Sequence, residues 1–550
     1  MLKSFSFVQS KNEIRFILKN MKKSIIFIPL NLDSMIYLKE KKIKFINPLH
    51  LFNNQNHKKA ISFTEKFISN LKYGEINYEG LKLEYRSQIR FIINSCVFLI
   101  EIFKKISKNE KMSIVMSGWH GVNFKKYGSH EIFLSSLIIK YCINFKNLIV
   151  LTTDFQKFNT PKKIYTYKIN LSKVKKESIL INALGYNFFR ILIFKKLFQK
   201  VYHINFKGNK INYLKKILFF IIGYREIVPQ KKIVSKFKII QIPDILLFYE
   251  KFDLSKIINI RKKELSFELT DTKQQLVALK NFFEKNNFSY YFSFHSRGLD
   301  GSISELLQNS SCKTVNISHG TVTEFYNKYD ALYKKIISDS VFTGCFKFFA
   351  VQSEICKRSL INTNSKIKNT LETGNLIFSD VKNNISKQKY LLYAVTLKKF
   401  HGLQFLGVEM YYEFIENLVL LNKISNKERK FIVNLHGSHA NLVNEMKVLF
   451  PNLIFTSEKI NKVLKKSYAL ISFSSTAIED ALATNRYVIL FDQWKRYEHF
   501  KIKSKRNEKK IYYVNNKSQL TTTIDRLKIL KNKADFNICN LKDNFNKLFD

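Results

Sequence analysis

The chain has 550 residues, 45% of them hydrophobic, and its 93 basic and 43 acidic residues give a formal net charge of +50. Such a length exceeds what one hydrophobic core usually supports, and the apolar content excludes a globally disordered chain, so at least two folded domains are expected. A positive field of this size attracts polyanions, which are nucleic acid, anionic lipid or phosphorylated substrates.

The six cysteines are scattered, without CxxC pairs or the Cys/His spacing of a metal site, and several lie inside apolar runs. This is typical of reduced structural thiols and predicts a reducing compartment. The amino terminus lacks a signal-peptide layout, and uncharged apolar runs such as 91–100 and 217–224 fall short of the roughly 18–20 residues of a spanning helix. We therefore expect a cytoplasmic protein, at most peripheral at the inner face of the plasma membrane.

Residues 1–155 alternate short β-prone runs with helical periodicity. Strands are predicted at 4–8, 24–29, 43–47, 112–116 and 148–152, and helices at 12–19, 33–41, 84–106 and 130–144. Strands that alternate with helices are typical of a parallel sheet covered on both faces. This region is therefore predicted to be an N-terminal Rossmann-like lobe.

Between about 156 and 235 the pattern changes to lysines interleaved with aromatic and aliphatic residues, as in 188–198 and 213–220. These stretches predict a basic helical insertion. Two interpretations stay open for it: a helical subdomain packed on the sheet, or a surface whose apolar side enters an anionic bilayer while lysines meet the head groups.

After residue 236 the alternation returns. Residues 236–380 are predicted to complete the first lobe, with strands at 290–294 and 314–317, and residues 533–550 to form a terminal helix. A doubly wound domain is predicted over 381–532, with strands at 390–395, 431–435, 453–455, 469–473, 487–491 and 511–514. The predicted fold class is therefore α/β, with two Rossmann-like lobes and an added basic helical segment.

A polar turn separates two apolar strands of the second lobe. This turn consists of Ser474, Ser475 and Thr476, and we call it the serine turn. It follows the strand at 469–473, and its three residues are good N-caps for a helix over 477–484. Free backbone N–H groups and hydroxyls at such a turn can bind an anion. Glu479 and Asp480 come one helical turn later, where a carboxylate serves either as an acceptor for ribose hydroxyls or as a partner of the helix dipole.

Three histidines follow predicted strands and precede a glycine: His120, His319 and His436. Ligands of parallel α/β sheets gather at the carboxyl ends of strands, where a histidine can act as a general base or, protonated, bind phosphate. A structural histidine is the alternative at each position. Gly374 and Asn375 indicate only a turn. The sequence has no P-loop, no GxGxxG and no metal-ligand cluster, so no cofactor and no metal are expected.

Six short motifs follow one another between about 313 and 500. They are 318–321 (Ser-His-Gly-Thr), 349–354 (Phe-Ala-Val-Gln-Ser-Glu), 372–375 (Glu-Thr-Gly-Asn), 392–396 (Leu-Tyr-Ala-Val-Thr), 433–436 (Val-Asn-Leu-His) and 474–479 (Ser-Ser-Thr-Ala-Ile-Glu). Their order resembles the donor-binding half of GT-B glycosyltransferases, above all the CDP-glycerol glycerophosphotransferase and polysialyltransferase-like families. Gly437 and Val395 stand where those families have proline, and 485–487 (Asn-Arg-Tyr) replaces Gly-x-Pro. Asn485 tolerates the left-handed conformation that glycine supplies.

The resemblance implies a metal-independent glycosyltransferase that moves a sugar from a nucleotide-activated donor to a surface-glycan or lipid-linked acceptor at an anionic membrane surface. The implied donor site contains the serine turn with Gly374 and Asn375, and Glu479 would hold the ribose. His436 would stabilise the leaving phosphate and His319 would deprotonate the acceptor. The alternatives are a polyol-phosphate transferase that uses a CDP-polyol, a non-hydrolysing nucleotide-sugar epimerase and a basic nucleic-acid-binding protein. Because the basic residues are dispersed and no nucleic-acid-binding motif is present, no nucleic acid is expected.

Overall fold

A computed structural model gives the fold of most of the chain. It describes residues 3–22, 24–30, 32–51, 54–107, 112–117, 138–143, 145–151, 163–171, 174, 178–181, 201–206, 223–234, 237–317, 344–351, 356–357, 360–361, 369–373, 388–394, 407–472, 475, 477–491, 493 and 510–531. Three parallel sheets organise these residues.

The first sheet has four strands, all parallel, in the order β2-β1-β3-β4. The strands are β1 (Lys3–Val8), β2 (Ile25–Pro29), β3 (Met112–Met116) and β4 (Leu148–Val150). Four helices accompany them: α1 (Lys11–Asn20), α2 (Leu32–Glu40), α3 (Asn54–Ile68) and α4 (Glu79–Ser107). The strand predicted at 43–47 is reduced to a single bridge between Phe45 and Phe27. Most of the helix predicted at 130–144 lies outside the described residues.

The second sheet has seven parallel strands in the order β8-β7-β6-β12-β13-β14-β15. Strands of this region are β5 (Ile164–Lys168), β6 (Ile179–Ile181), β7 (Val201–Ile204), β8 (Tyr224–Ile227), β9 (Gln230–Val234), β10 (Phe248–Tyr249), β11 (Phe252–Asp253), β12 (Tyr290–Ser293), β13 (Lys313–Ile317), β14 (Phe348–Val351) and β15 (Thr370–Glu372). Two helices are described, α5 (Ser255–Phe283) and α6 (Gly298–Leu306). Counted along the chain, the sheet has the Rossmann order 3-2-1-4-5-6, with β15 added at one edge.

The prediction of a helical insertion at 156–235 is wrong for the part that the structure describes. That part contains five strands, of which β6, β7 and β8 belong to the seven-stranded sheet, while β5 and β9 form an antiparallel ribbon. Short strands with interleaved lysines have too few residues to show a clear period of two. The lysine-rich stretches 188–198 and 213–220 lie outside the described residues.

The third sheet has six parallel strands in the order β18-β17-β16-β19-β20-β21. They are β16 (Tyr390–Tyr393), β17 (Lys430–Asn434), β18 (Ile454–Thr456), β19 (Ser467–Ser472), β20 (Tyr487–Phe491) and β21 (Ile511–Val514). The helices are α7 (Gly407–Ile424), α8 (Val443–Leu449), α9 (Ile460–Leu464), α10 (Ala477–Ala483) and α11 (Lys517–Leu530). This is the Rossmann order 3-2-1-4-5-6. All six predicted strands are present; the helix predicted at 533–550 lies outside the described residues.

The predicted α/β class with two Rossmann-like lobes is confirmed, and the two lobes are the seven-stranded and six-stranded sheets with their helices. One boundary is corrected. The strands that the structure describes within residues 1–155 do not belong to the first lobe, because they pair only with one another in a separate four-stranded sheet. None of the helices in the described part of the chain has both the length and the apolar character that crossing a bilayer requires.

The four-stranded unit packs on both lobes. Its long helix α4 lies against α5 and α6, and α2 lies against α7 and α8. The Nζ atom of Lys11 is 3.7 Å from a carboxylate oxygen of Glu445 on α8. The crossing of α4 and α6 is close at two glycines, since a Cβ on Gly301 would stand 3.2 Å from the Cα of Gly80.

Substitution of Gly301 by alanine should destabilise this crossing. The added Cβ would stand 2.0 Å from the carbonyl oxygen of Ser296, so backbone must move. We expect a loss of about 1–3 kcal/mol in the free energy of unfolding, measured by urea denaturation. Gly437→Ala is the matched control, because no heavy atom of the described residues beyond its two chain neighbours lies within 4 Å of the added Cβ. Equal stabilities of the two variants would contradict the proposed close packing.

A buried carboxylate lies at the carboxyl edge of the four-stranded sheet. Glu13, on the first turn of α1, is 1% exposed and accepts hydrogen bonds from the backbone N–H of Gln9 at 2.8 Å and the hydroxyl of Ser117 at 2.9 Å. Burial outweighs these hydrogen bonds and raises the pKa of Glu13 to about 7. At pH values between the ordinary glutamate pKa and this raised value, the side chain therefore holds a proton in the folded protein that it has lost in the unfolded chain.

This raised pKa predicts a stability that falls with increasing pH. Between the ordinary glutamate pKa of about 4.3 and the folded value, the native state binds the extra proton, so the free energy of unfolding decreases and then levels off above the folded pKa. Burial also raises the pKa of Glu264 to about 7, which adds a slope of the same sign. Glu13→Gln should reduce the slope, measured by urea denaturation between about pH 5 and about pH 8. An unchanged slope would contradict this assignment.

Candidate functional site

The strand order of the second lobe identifies where a ligand would bind. Along the chain, β17 and β18 add on one side of β16, and β19, β20 and β21 add on the other. The crossover helices leave a crevice at such a switch point, outside the carboxyl ends of the two central strands, β16 and β19. Residues that follow these strands and their neighbours are therefore the first candidates for binding.

The serine turn follows β19, one of the two switch-point strands. Ser472, the last residue of β19, is fully buried, and its hydroxyl makes no hydrogen bond with any described residue. The hydroxyl of Ser475 accepts a hydrogen bond from the N–H of Ala477 at 3.1 Å, so this side chain caps α10 as expected. Ser474, Thr476 and the side chain of Glu479 lie outside the described residues. The half-buried Asp480 lies on α10, where its backbone carbonyl accepts from the Thr484 hydroxyl at 2.8 Å.

His436 lies at the same edge of the sheet. It comes two residues after β17, and its side chain is exposed. The preceding residue, Leu435, donates its N–H to the carbonyl of Thr456 at 2.8 Å, and the carbonyl of His436 accepts from the N–H of His439 at 2.8 Å. The strands β17 and β19 flank β16, so the ends that carry His436 and the serine turn are about 10 Å apart, two strand spacings.

The turn between α10 and β20 has the geometry that the sequence predicts for asparagine. Asn485 has φ 64°, the left-handed conformation. Its N–H bonds to the carbonyl of Leu482, and the N–H of Arg486 bonds to the carbonyl of Ala481, the pair of bonds of a Schellman motif. The Arg486 side chain is fully buried and donates to the backbone carbonyls of Leu464 and Thr484. Asn485 therefore ends the helix in the conformation that the glycine of a Gly-x-Pro turn would adopt.

A chain of buried and half-buried side chains links the carboxyl ends of β16 and β20 through helix α7. Sequence reasoning missed two of its members, Asn417 and Gln493. The side-chain amide of Gln493, just after β20, donates to Asn417 on α7 at 2.8 Å, and Asn417 donates to the hydroxyl of Tyr393 at 3.0 Å. Burial raises the pKa of Tyr393 well above its ordinary value, so this hydroxyl stays protonated. The network fixes the end of β16, and only the fold brings its members together.

The first lobe has a corresponding switch point between β6 and β12, where the sequence reading overlooked two residues. His295 follows β12, and its N–H bonds to the hydroxyl of Ser293 at 3.1 Å. Arg297 precedes α6 and is held by helix α4, through the Ser87 hydroxyl at 3.0 Å and the Glu84 carboxylate at 3.4 Å. The signal was available, because an apolar strand runs into His295 as another runs into His436.

A buried amide lies beside these residues. Asn316 on β13 pairs in register with Ser293 on β12 and is 0% exposed. Within the described part of the chain, neither polar atom of its side chain makes a hydrogen bond. An unpaired buried amide is costly, so a water molecule or a ligand group is expected next to it.

The remaining predicted site residues are not among those that the structure describes. His120, His319, Gly374 and Asn375 all lie outside the described residues, although the strand that leads to His319, β13, is present. Among the residues that the structure does describe, no group of three or more His, Cys, Asp or Glu side chains could hold a metal ion.

Comparisons with known proteins give distant structural likenesses only. No protein-family model matches the chain, and no curated protein matches it. Among solved structures it is similar to UDP-GlcNAc 2-epimerase from Neisseria meningitidis bound to UDP-GlcNAc (11% identity, 68% of this chain and 97% of that chain, TM-score 0.39). It is also similar to the wall teichoic acid polymerase TagF (12%, 68% and 87%, 0.37) and to the calicheamicin glycosyltransferase CalG4 (10%, 68% and 95%, 0.34). At TM-scores below 0.5 these likenesses say nothing about the activity of this chain.

Proposed function

We propose that this protein is a glycosyltransferase that moves a sugar from a nucleotide-activated donor to a surface-glycan acceptor at the cytoplasmic face of the membrane. One observation carries the proposal: His436 and the serine turn lie on either side of β16, at the carboxyl edge where doubly wound sheets bind nucleotides. The order of the six motifs, which resembles the donor-binding half of GT-B glycosyltransferases, adds independent support from the sequence.

In the proposed reaction the anomeric carbon of the donor sugar exchanges its bond to the phosphate oxygen for a bond to the acceptor oxygen. The acceptor hydroxyl attacks the anomeric carbon of the donor sugar, and His319 takes the proton from that hydroxyl. The bond from the anomeric carbon to the phosphate oxygen breaks, and its electron pair leaves with the nucleotide. His436 and the hydroxyls of the serine turn stabilise the charge that develops on the leaving phosphate. Glu479 holds the ribose, and Gly374 with Asn375 completes the donor site.

Nucleotide release from a panel of donors tests this proposal. The purified protein is incubated with nucleotide-sugars and with CDP-glycerol, with and without an acceptor glycan. Acceptor-dependent release of nucleotide from a nucleotide-sugar supports the glycosyltransferase. Release from CDP-glycerol alone would replace it with a polyol-phosphate transferase, the second candidate, which the resemblance to the glycerophosphotransferase family favours. Interconversion of free nucleotide-sugars would indicate an epimerase. Salt-sensitive RNA binding with neither nucleotide release nor interconversion would exclude all three enzymes.

The high positive charge supports a membrane-bound acceptor. With a formal charge of +50, the protein is expected to be attracted to an anionic bilayer, at roughly 1 kcal/mol for each basic residue near the surface. In liposome flotation, binding should require anionic lipid and decrease with salt. Equal flotation with neutral lipid would contradict this part of the proposal and would leave the transfer reaction as a separate question.

A further inference from the structure

A cavity of about 650 Å³ lies away from both switch points. Three pieces of the chain surround it: the loop at 74–77 before α4, the antiparallel ribbon of β5 and β9 with residues 237–240, and the middle of α5. This volume lies within the range of small-molecule sites. None of the residues that line the cavity follows the carboxyl end of a strand in the two large sheets.

The walls of this cavity are joined to one another by hydrogen bonds. The carboxylate of Glu75 in the loop accepts from the Nζ atom of Lys238 at 2.7 Å and from the N–H of Gln241 at 3.0 Å. The hydroxyl of Thr270 on α5 accepts from the N–H of Ile240 at 2.9 Å. The loop is also closely seated, because a Cβ on Gly74, which has φ 56°, would stand 2.3 Å from the carbonyl oxygen of Gln241. The cavity is therefore formed before any ligand binds.

The charges that line the cavity leave one positive charge uncompensated. Lys238, Lys273 and Glu75 all line it. The hydrogen bonds of Glu75, first of all that from Lys238, lower the pKa of its carboxyl group, so it stays ionised and pairs with that lysine. Within the described part of the chain, Lys273 forms no hydrogen bond and no salt bridge. It affects Glu75 only by long-range electrostatic attraction, which helps to lower the pKa of that carboxyl group. Its ammonium group is available to an anionic ligand.

The other lining groups suit a sugar ring. Phe237 supplies an aromatic wall next to aliphatic side chains, and Asn77, Thr166 and Gln274 supply amide and hydroxyl groups. The apolar face of a sugar ring packs on an aromatic side chain, and its hydroxyls pair with groups that both donate and accept hydrogen bonds. A neutral sugar would leave Lys273 unpaired. A sugar that carries an acid group would pair with it.

We propose that this cavity binds a monosaccharide unit that carries a carboxylate or a phosphate, at a site separate from the nucleotide cleft. The inference goes beyond the proposed transfer reaction, because it requires neither a donor nor turnover. Either acid group provides the same chemistry, an anion for Lys273, so the two are distinguished by experiment.

Direct binding to the full-length protein, without any nucleotide, tests the proposal. The probes are glucuronic acid, glucose 6-phosphate and, as a neutral control, glucose, titrated by calorimetry or by ligand-observed NMR. At least one acidic sugar should saturate a single site, and glucose should bind about tenfold more weakly or worse. Lys273→Ala should weaken that acidic sugar about tenfold, and Phe237→Ala should weaken all three probes. The acidic sugar that binds more tightly shows whether the cavity prefers a carboxylate or a phosphate.

Lys280→Ala is the matched control, because this exposed lysine lies on α5 two turns after Lys273 and does not line the cavity. It should leave binding unchanged. Three results would overturn the proposal: no saturable binding of either acidic sugar, equal weakening by Lys273→Ala and Lys280→Ala, or loss of binding in His436→Ala with binding retained in Lys273→Ala. The last result would assign the sugar to the cleft. None of these results depends on nucleotide release, so the transfer reaction stands or fails separately.

Discussion

His436→Ala should lower the rate of donor cleavage by roughly 10²–10³-fold, the usual effect of removing one group that stabilises developing charge. The side chain is exposed at the end of β17, so the free energy of unfolding should change by less than about 0.5 kcal/mol. Nucleotide release under single-turnover conditions measures the first quantity, and urea denaturation measures the second. His319→Ala should give a comparable loss of activity, because it would remove the proposed general base.

Asn441→Ala is the matched control for His436→Ala. It removes an exposed polar side chain from the short helical turn that follows His436, Gly437–Leu442, and should retain full activity. Full activity of His436→Ala would show that the role proposed for this histidine is wrong. A loss of activity together with a clear decrease in the free energy of unfolding would indicate that His436 supports the turn and does not act on the donor.

Arg486→Ala should lower the free energy of unfolding by about 2–5 kcal/mol. The Arg486 side chain is fully buried and donates to the carbonyls of Leu464 and Thr484, which end α9 and α10. Alanine would leave both carbonyls unsatisfied inside the protein and create a cavity. Burial lowers the pKa of this guanidinium to about 10, which is still high enough to keep it charged at neutral pH.

Arg429→Ala provides the control for Arg486→Ala. Arg429 makes two hydrogen bonds of 2.9 and 2.8 Å to Asp525, and both side chains are accessible to solvent. Exposed pairs of this kind contribute about 0–1 kcal/mol, so this substitution should have little effect. The comparison is made by urea denaturation at one pH. Equal losses from the two substitutions would show that Arg486 is not a structural anchor of the second lobe.

Local sequence determined the second lobe almost completely. Its six strands are short apolar runs between polar turns, and each was predicted within a few residues of its observed bounds. The capping role of Ser475 and the left-handed conformation of Asn485 were also predictable, because caps and turns depend on a few neighbouring residues. For the same reason the sequence indicated that His436 and the serine turn follow strands.

The tertiary structure alone decided which strands share a sheet. The pairing of β6 with β12 joins residues more than a hundred positions apart, and it assigns much of 156–235 to the first lobe. The separation of the four-stranded unit, the network of Tyr393, Asn417 and Gln493, and the cavity beside Lys273 have the same origin. Local patterns depend on period and turn chemistry, whereas sheet membership depends on contacts between segments that no short window of sequence contains.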